Sequence, residues 1–94
     1  MRIFAQIGGA ILLASTAAPA ASQTSDPNFD ACANTTGEEA IAGCTAAITS
    51  GKWDAPNLVI LFFNRGYTYF HQKDYARASA DANEAIRLDP NIGK

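Results

Sequence analysis

Three stretches of the chain have the apolar pattern of a helix, and the first and third carry apolar residues at the three- and four-residue spacing that is typical of one helix face. In the first stretch these apolar positions are Ile41, Cys44, Ala47 and Ile48. Thr36 and Glu39, three positions apart, resemble a capping box that starts the helix. Gly51 suits the left-handed conformation in which many helices end. We therefore predict a first helix over 38–50.

The second stretch, 58–70, is almost continuously apolar or aromatic. It lacks the alternation of a strand, and its length favours a helix that is buried on two sides. Asp54 followed by Pro56 is a start signal just ahead of it, because an acidic N-cap and an early proline suit the first turn of a helix.

The third stretch begins after Asp74, which is a good N-cap. Its apolar positions share one side of a helix: Ala78, Ala82, Ala85 and Ile86. Asp89 followed by Pro90 ends this helix, because the residue before a proline disfavours helical backbone. The pattern as a whole predicts an all-α chain of three helices joined by short turns.

The N-terminus has the order of a signal peptide: the charge of Arg2, a mostly apolar run over 3–14, and the small pair Ala18 and Ala20 at a cleavage site. The alternative is a membrane anchor. That is disfavoured because a glutamine and two glycines interrupt the run, which falls short of the roughly 18 apolar residues that a spanning helix needs. We expect 1–20 to be removed on export, with the periplasm as the favoured compartment and secretion as the alternative.

The next segment, 21–35, is mostly polar, contains one proline and shows no helical period, so we predict a flexible tether. It contains Cys32, which we expect to bond to Cys44 because exported chains meet an oxidising compartment. The alternative is a pair of reduced thiols. Two cysteines and the single His71 are too few ligands for a metal site.

The formal net charge is −2 at pH 7, and no stripe of lysines and arginines is present. Nucleic-acid binding is therefore disfavoured. The same lack of a basic cluster predicts no membrane association after signal cleavage.

The first and third helices carry an internal match: Ala40, Ala47 and Ile48 correspond to Ala78, Ala85 and Ile86 at one constant offset. Such a fixed period is typical of a solenoid. Small residues, Gly66 among them, leave room where helices cross closely, while Phe62 and Tyr69 fill the space beside them. Pro90 forces a turn towards a next unit.

The stretch 59–91 resembles a tetratricopeptide repeat (TPR), whose pattern begins W-x₂-L-G-x₂-Y. The residues that match the family's packing positions are Phe62, Gly66, Tyr69, Ala78, Ala85 and Pro90. Two departures are Arg65, where a leucine is usual, and Ala82, where an aromatic is usual. We expect both departures to loosen the core of the repeat.

The resemblance implies an antiparallel helix-turn-helix solenoid over 36–94, with about one and a half repeats. Stacked repeats usually need about three units to bury a continuous core. We therefore expect either a truncated gene product or an exposed last face that binds something, self-association into a homo-oligomer being the simplest case.

The resemblance also implies a concave surface, on the second helix, that binds a peptide or partner helix. The residues expected to face that partner are Ile60, Phe63, Asn64, Tyr67, Phe70 and His71. The alternative is that the tether or a second copy covers this face, because large exposed apolar patches are rare on monomers. Asn64 could hydrogen-bond a peptide backbone, but the face lacks the basic residues that clamp a C-terminal carboxylate.

The chain offers no nucleophile, base and orienting group in combination, so we expect neither catalysis nor a cofactor. His71 is expected to interact with the dipole at a helix end, and Glu38 and Glu39 are expected to be first-turn acids. Arg65 and Arg87 are expected to be solvated or paired surface charges.

Overall fold

A computed structural model describes residues 26–92 of the chain. The predicted signal peptide, 1–20, and the first part of the predicted tether lie outside these residues. The described part is helical throughout except for its turns, which confirms the all-α prediction. Its four helices are α1 (Pro27–Asn34), α2 (Gly37–Thr49), α3 (Ala55–His71) and α4 (Tyr75–Leu88). None of these helices is long and apolar enough to cross a membrane.

Aspartate side chains cap three of the helices. Asp26 accepts hydrogen bonds from two backbone N–H groups of α1, and Asp54 and Asp74 each accept one in α3 and α4. The start signals predicted at Asp54 and Asp74 are therefore confirmed. Thr36 does occupy the N-cap of α2, but its side chain makes no capping hydrogen bond, so the predicted capping box with Glu39 is wrong.

The turns after α2 and α3 both use left-handed backbone. Gly51 has a φ of 76°, as its place after a helix predicted. Lys73 has a φ of 65°, which is uncommon for a residue with a side chain. The backbone N–H of Asp74 donates to the Tyr69 carbonyl at 2.9 Å and thereby closes the end of α3.

Helix α1 corrects the prediction of a flexible, non-helical tether over 21–35 where it covers Pro27–Asn34; residues 21–25 lie outside the described part. Phe29 stacks on Trp53 with ring centroids 4.7 Å apart, and Cys32 is buried in the core. Eight residues are too few for a helix to be stable alone, so these tertiary contacts stabilise α1. A helical period of apolar residues cannot be recognised in the sequence over so short a segment.

Asp26 anchors the start of α1 to the turn after α2. Its carboxylate lies 2.6 Å from the Lys52 ammonium group. The hydrogen bond from Lys52, followed by that from the Phe29 backbone, lowers the pKa of Asp26 below its ordinary value of 3.8. Since the folded-state pKa is the lower one, this stabilisation is present above about pH 4 and is lost as the pH falls through the folded-state pKa.

The helices form two hairpins, α1 with α2 and α3 with α4. Helix α3 packs against α2 and also touches α1, so each hairpin stacks on the other in chain order, as in a helical solenoid. One core lies between α1, α2 and α3, formed by Cys32, Cys44, Ala47 and Leu61. Partly buried side chains pack around it: Phe29, Ile48, Trp53 and Leu58.

Backbones approach closely within the first hairpin. A Cβ atom on Gly43 would lie 2.6 Å from the Cβ of Ala31 and 2.8 Å from the Asn28 carbonyl oxygen. Glycine is thus required where α1 crosses α2. At the same crossing the structure joins Cys32 to Cys44 by a disulfide, as predicted, with their Cα atoms 4.5 Å apart.

We predict that replacing both cysteines by alanine lowers the free energy of unfolding by about 3 kcal/mol, because the bridge restricts the unfolded chain over a short loop. Urea unfolding of the oxidised wild type and the double variant, followed by circular dichroism, measures this difference. Ala33→Ser, an exposed change on α1, serves as the control. Equal stability of the wild type and the double variant would contradict the prediction.

Candidate functional site

Helix α3 presents a row of exposed aromatic side chains to solvent. Phe63 and Phe70 each keep 55% of their surface exposed and Tyr67 keeps 65%. The three residues follow one another at four- and three-residue steps, which places them on one side of the helix. We call these three residues the aromatic ridge. Ile60, which is 44% exposed, lies one turn before it.

His71 extends the ridge at the end of α3. Its ring packs edge-on against Tyr67, with centroids 4.3 Å apart, and against Phe70 at 5.8 Å. Phe70 also contacts Tyr75, at 5.4 Å, across the turn into α4. The exposed aromatic surface therefore continues from α3 onto the second helix of its hairpin.

The six residues predicted to contact a partner thus share one region of α3. Five of them are exposed: Ile60, Phe63, Tyr67, Phe70 and His71. Asn64 is half-buried, and its backbone carbonyl accepts a hydrogen bond from the Thr68 hydroxyl at 3.1 Å. The role of these residues in binding remains a prediction.

An open cavity of about 410 Å³ lies beside the ridge, between the α1–α2 turn and the last turns of α3. It is lined by Thr35, Thr36, Gly37, Tyr67, Thr68, His71 and Gln72. At its edge the Gln72 amide donates to the Glu38 carboxylate at 3.2 Å. Sequence reasoning missed Thr35 to Gly37 here, because nothing in their spacing indicates that the α1–α2 turn approaches α3.

A second cavity, of about 230 Å³, runs between α3 and α4. We call it the α3–α4 groove. It is lined by Phe62, Phe63, Gly66, Tyr67, Phe70, Ala78 and Ala82. Ala82 stands where TPR sequences usually carry an aromatic side chain, and its small size leaves the floor of the groove open. Gly66 lets α3 approach α4 closely, because a Cβ there would lie 3.1 Å from the Cβ of Asp81.

Arg65 connects three helices. Its guanidinium donates two hydrogen bonds to the Asp81 carboxylate of α4, both at 2.8 Å, and a third to the Thr45 hydroxyl of α2 at 3.1 Å. The hydrogen bond to Asp81 raises the pKa of Arg65 above its ordinary value. The guanidinium also lies 5.5 Å from the ring centroid of Phe62 and 5.9 Å from that of Tyr69.

Arg65 is therefore paired but largely buried, which corrects the expectation of a surface charge; that it loosens the core remains a prediction. The Asp81 side chain is only 5% exposed and that of Arg65 18%, and the hydrogen bonds between them satisfy both charges. Arg87 is paired as expected, with Glu84 of its own helix at 2.9 Å. Glu38 and Glu39 are indeed in the first turn of α2.

The remaining packing positions lie along the contact between α3 and α4. Gly66 and Ala85 are buried, Ala78 is half-buried, and Phe62 and Tyr69 flank the guanidinium of Arg65. Pro90 is exposed and directly follows Asp89, the C-cap of α4. Over residues 26–92, histidine, cysteine, aspartate and glutamate side chains form no group of three that could hold a metal ion.

Comparison with known proteins gives one family match. The family model for the tetratricopeptide repeat matches residues 59–92, which is α3 from Val59 onwards, α4 and the turn that follows it. No curated protein and no solved structure matches the chain.

We predict that Arg65→Leu or Asp81→Ala, each alone, lowers the free energy of unfolding by about 3 kcal/mol, because each leaves one charge buried without its partner. The double variant Arg65→Leu/Asp81→Ala should recover more than half of that loss. Urea unfolding of the four proteins completes the double-mutant cycle. Arg87→Ala, which breaks the exposed pair with Glu84, should cost less than about 1 kcal/mol. Additive losses in the double variant would contradict the coupling.

Proposed function

The chain belongs to the tetratricopeptide-repeat family through residues 59–92, and from that premise we propose that it binds a peptide or partner helix on the exposed face of α3. TPR domains are generally non-catalytic scaffolds for protein–protein interaction. The family match supports this general role for the present chain. The binding face and the kind of partner are our proposal.

The aromatic ridge is the observation that supports this proposal. Large aromatic side chains that lose water on binding are the residues that most often dominate interface energies. Three of them in a row on one helix face would match the apolar side of a helix or the alternate side chains of an extended peptide. More than half of each of these side chains is exposed, and an exposed apolar patch of neighbouring residues often marks an interaction site.

The charge pattern supports an apolar rather than an acidic partner. The proposed face on α3 contains Asn64 and His71 as its polar members and no lysine or arginine. Nearby arginines are engaged: Arg65 with Asp81, and Arg77 with Asp74 at 2.8 Å. A carboxylate would therefore find no free guanidinium or ammonium group on this face.

Export is part of the proposal. The signal-peptide order of residues 1–20 supports it, and so does the disulfide between Cys32 and Cys44, since such bonds persist in oxidising compartments. We propose the periplasm as the compartment, with release outside the cell as the alternative.

A second candidate function is structural: the hairpin would pack on another copy or on further repeats without binding a separate partner. The α3–α4 groove is the observation that favours this candidate, because its lining is apolar and open.

We predict that a photo-crosslinking amino acid at position 63 or 67 captures a protein partner in cells. Phe63→Ala or Tyr67→Ala should then weaken binding of that purified partner about 30-fold, the effect of losing an aromatic hot spot of about 2 kcal/mol. Titration calorimetry gives the affinity. Circular dichroism should remain unchanged, because more than half of each side chain is exposed.

Ile86→Ala is the matched control, since Ile86 is 49% exposed but lies on α4, away from the proposed face. It should leave the partner's affinity within about threefold of the wild type. Loss of binding in Ile86→Ala but not in the α3 variants would move the partner to the groove side of α4. Loss of helicity in the α3 variants would mean that the aromatic side chains belong to the core.

A further inference from the structure

We propose that a second copy of this chain docks in the α3–α4 groove and forms a two-fold symmetric dimer. The first observation is the uneven distribution of exposed large hydrophobic side chains in residues 26–92. All of them lie on the second hairpin: Ile60, Phe63, Tyr67, Phe70, Tyr75 and Ile86. The first hairpin buries its own large apolar side chains against α3 and presents smaller and polar residues.

The shapes on this hairpin are self-complementary. The groove has a floor of small residues, Gly66, Ala78 and Ala82. The aromatic ridge forms its near edge and stands out from the surface, with more than half of each ring exposed. A ridge beside a groove on one surface lets two identical copies interlock about a two-fold axis, because each ridge enters the other copy's groove.

The distribution of charged side chains allows this surface to pack against an identical copy of itself. In a two-fold interface each residue near the axis meets its own copy, so a charged face would repel itself. The ridge and the groove contain no charged side chain. The ion pairs along α4, Asp74 with Arg77 and Glu84 with Arg87, are each neutral within one chain.

Within residues 26–92, the first hairpin exposes no large hydrophobic side chain that could fill the groove of another copy. The outward residues of α1 are small or polar: Asn28, Asp30, Ala33 and Asn34. Such a surface would leave an apolar groove poorly filled, so head-to-tail stacking of copies is disfavoured and a closed pair is favoured.

The area of this exposed apolar surface sets the expected strength of the dimer. The six half-exposed aromatic and aliphatic side chains contribute roughly 100 Å² each, so together they cover about 600 Å² per copy. An interface of about 1,200 Å² in total is at the low end for biological complexes and predicts weak, micromolar self-association.

This dimer does not depend on the proposed partner, but it uses the same ridge. Phe63, Tyr67 and Phe70 line both the groove and the face proposed for the partner. A copy bound in the groove therefore excludes the partner, and each should weaken the apparent affinity of the other.

The test is sedimentation equilibrium of the full chain as it is obtained after oxidative expression, from low micromolar to high micromolar concentration. We expect a monomer–dimer equilibrium. Ala82→Glu, on the groove floor, and Ile86→Glu, on the same side of α4, should each raise the dimer dissociation constant at least about tenfold, because a charge would be buried opposite its own copy. Ala80→Glu is the matched control: the same change, on the same helix, at an exposed position turned away from the groove.

Ala80→Glu should leave the dissociation constant within about threefold of the wild type. A wild type that stays monomeric over the whole range overturns the proposal. If that monomer is also destabilised by Ile86→Glu and not by Ala80→Glu, the groove is filled by a segment of the same chain. A dimer that both groove variants leave intact, or growth beyond the dimer, overturns the two-fold geometry. Ile86→Glu keeps the test decisive if Ala82→Glu fails to fold, since Ile86 is 49% exposed.

Discussion

Burial of Leu61 against the first hairpin determines which side of α3 faces solvent. Its side chain is fully buried beside Cys32, Cys44 and Ala47, and one turn later Arg65 reaches Asp81 and Thr45. A helix that buries these two positions must turn the aromatic ridge outwards, because residues two positions further along point to the other side. The exposed face is thus a consequence of the internal packing of α3, and it is held rigidly by contacts to all three other helices.

The two hairpins are stabilised in different ways. The first is joined by a disulfide and by a glycine crossing that allows α1 to lie directly on α2. The second has no covalent link; a buried ion pair joins α3 to α4 and a hydrogen bond extends it to α2. Small domains need such reinforcement, since a core of this size rarely supplies more than about 3–5 kcal/mol. The pair also fixes the register of α3 against α4, because Arg65 can bond to both Asp81 oxygens in only one alignment of the two helices.

The parts of the fold that depend on local signals could be predicted from the sequence. Asp54, Asp74 and Gly51 define helix ends through their own backbone neighbours, and the spacing of α2 to α4 shows directly in the chain. Helix α1 could not be predicted, because its stability comes from Trp53 and Cys44, which are distant in sequence. The Arg65–Asp81 pair and the cavity at the α1–α2 turn were missed for the same reason: each joins residues that only the tertiary fold brings together.

The two hairpins differ in a way that links the proposed binding to the proposed self-association. Helix α1 exposes small and polar side chains, whereas α3 and α4 expose large apolar ones. Water contact with that surface is unfavourable, so a molecule that covers it is stabilised. The proposed partner on the α3 face and the proposed second copy in the groove both require the aromatic ridge. Because one ridge cannot contact both, protein concentration and partner concentration together determine which of the two occupies it.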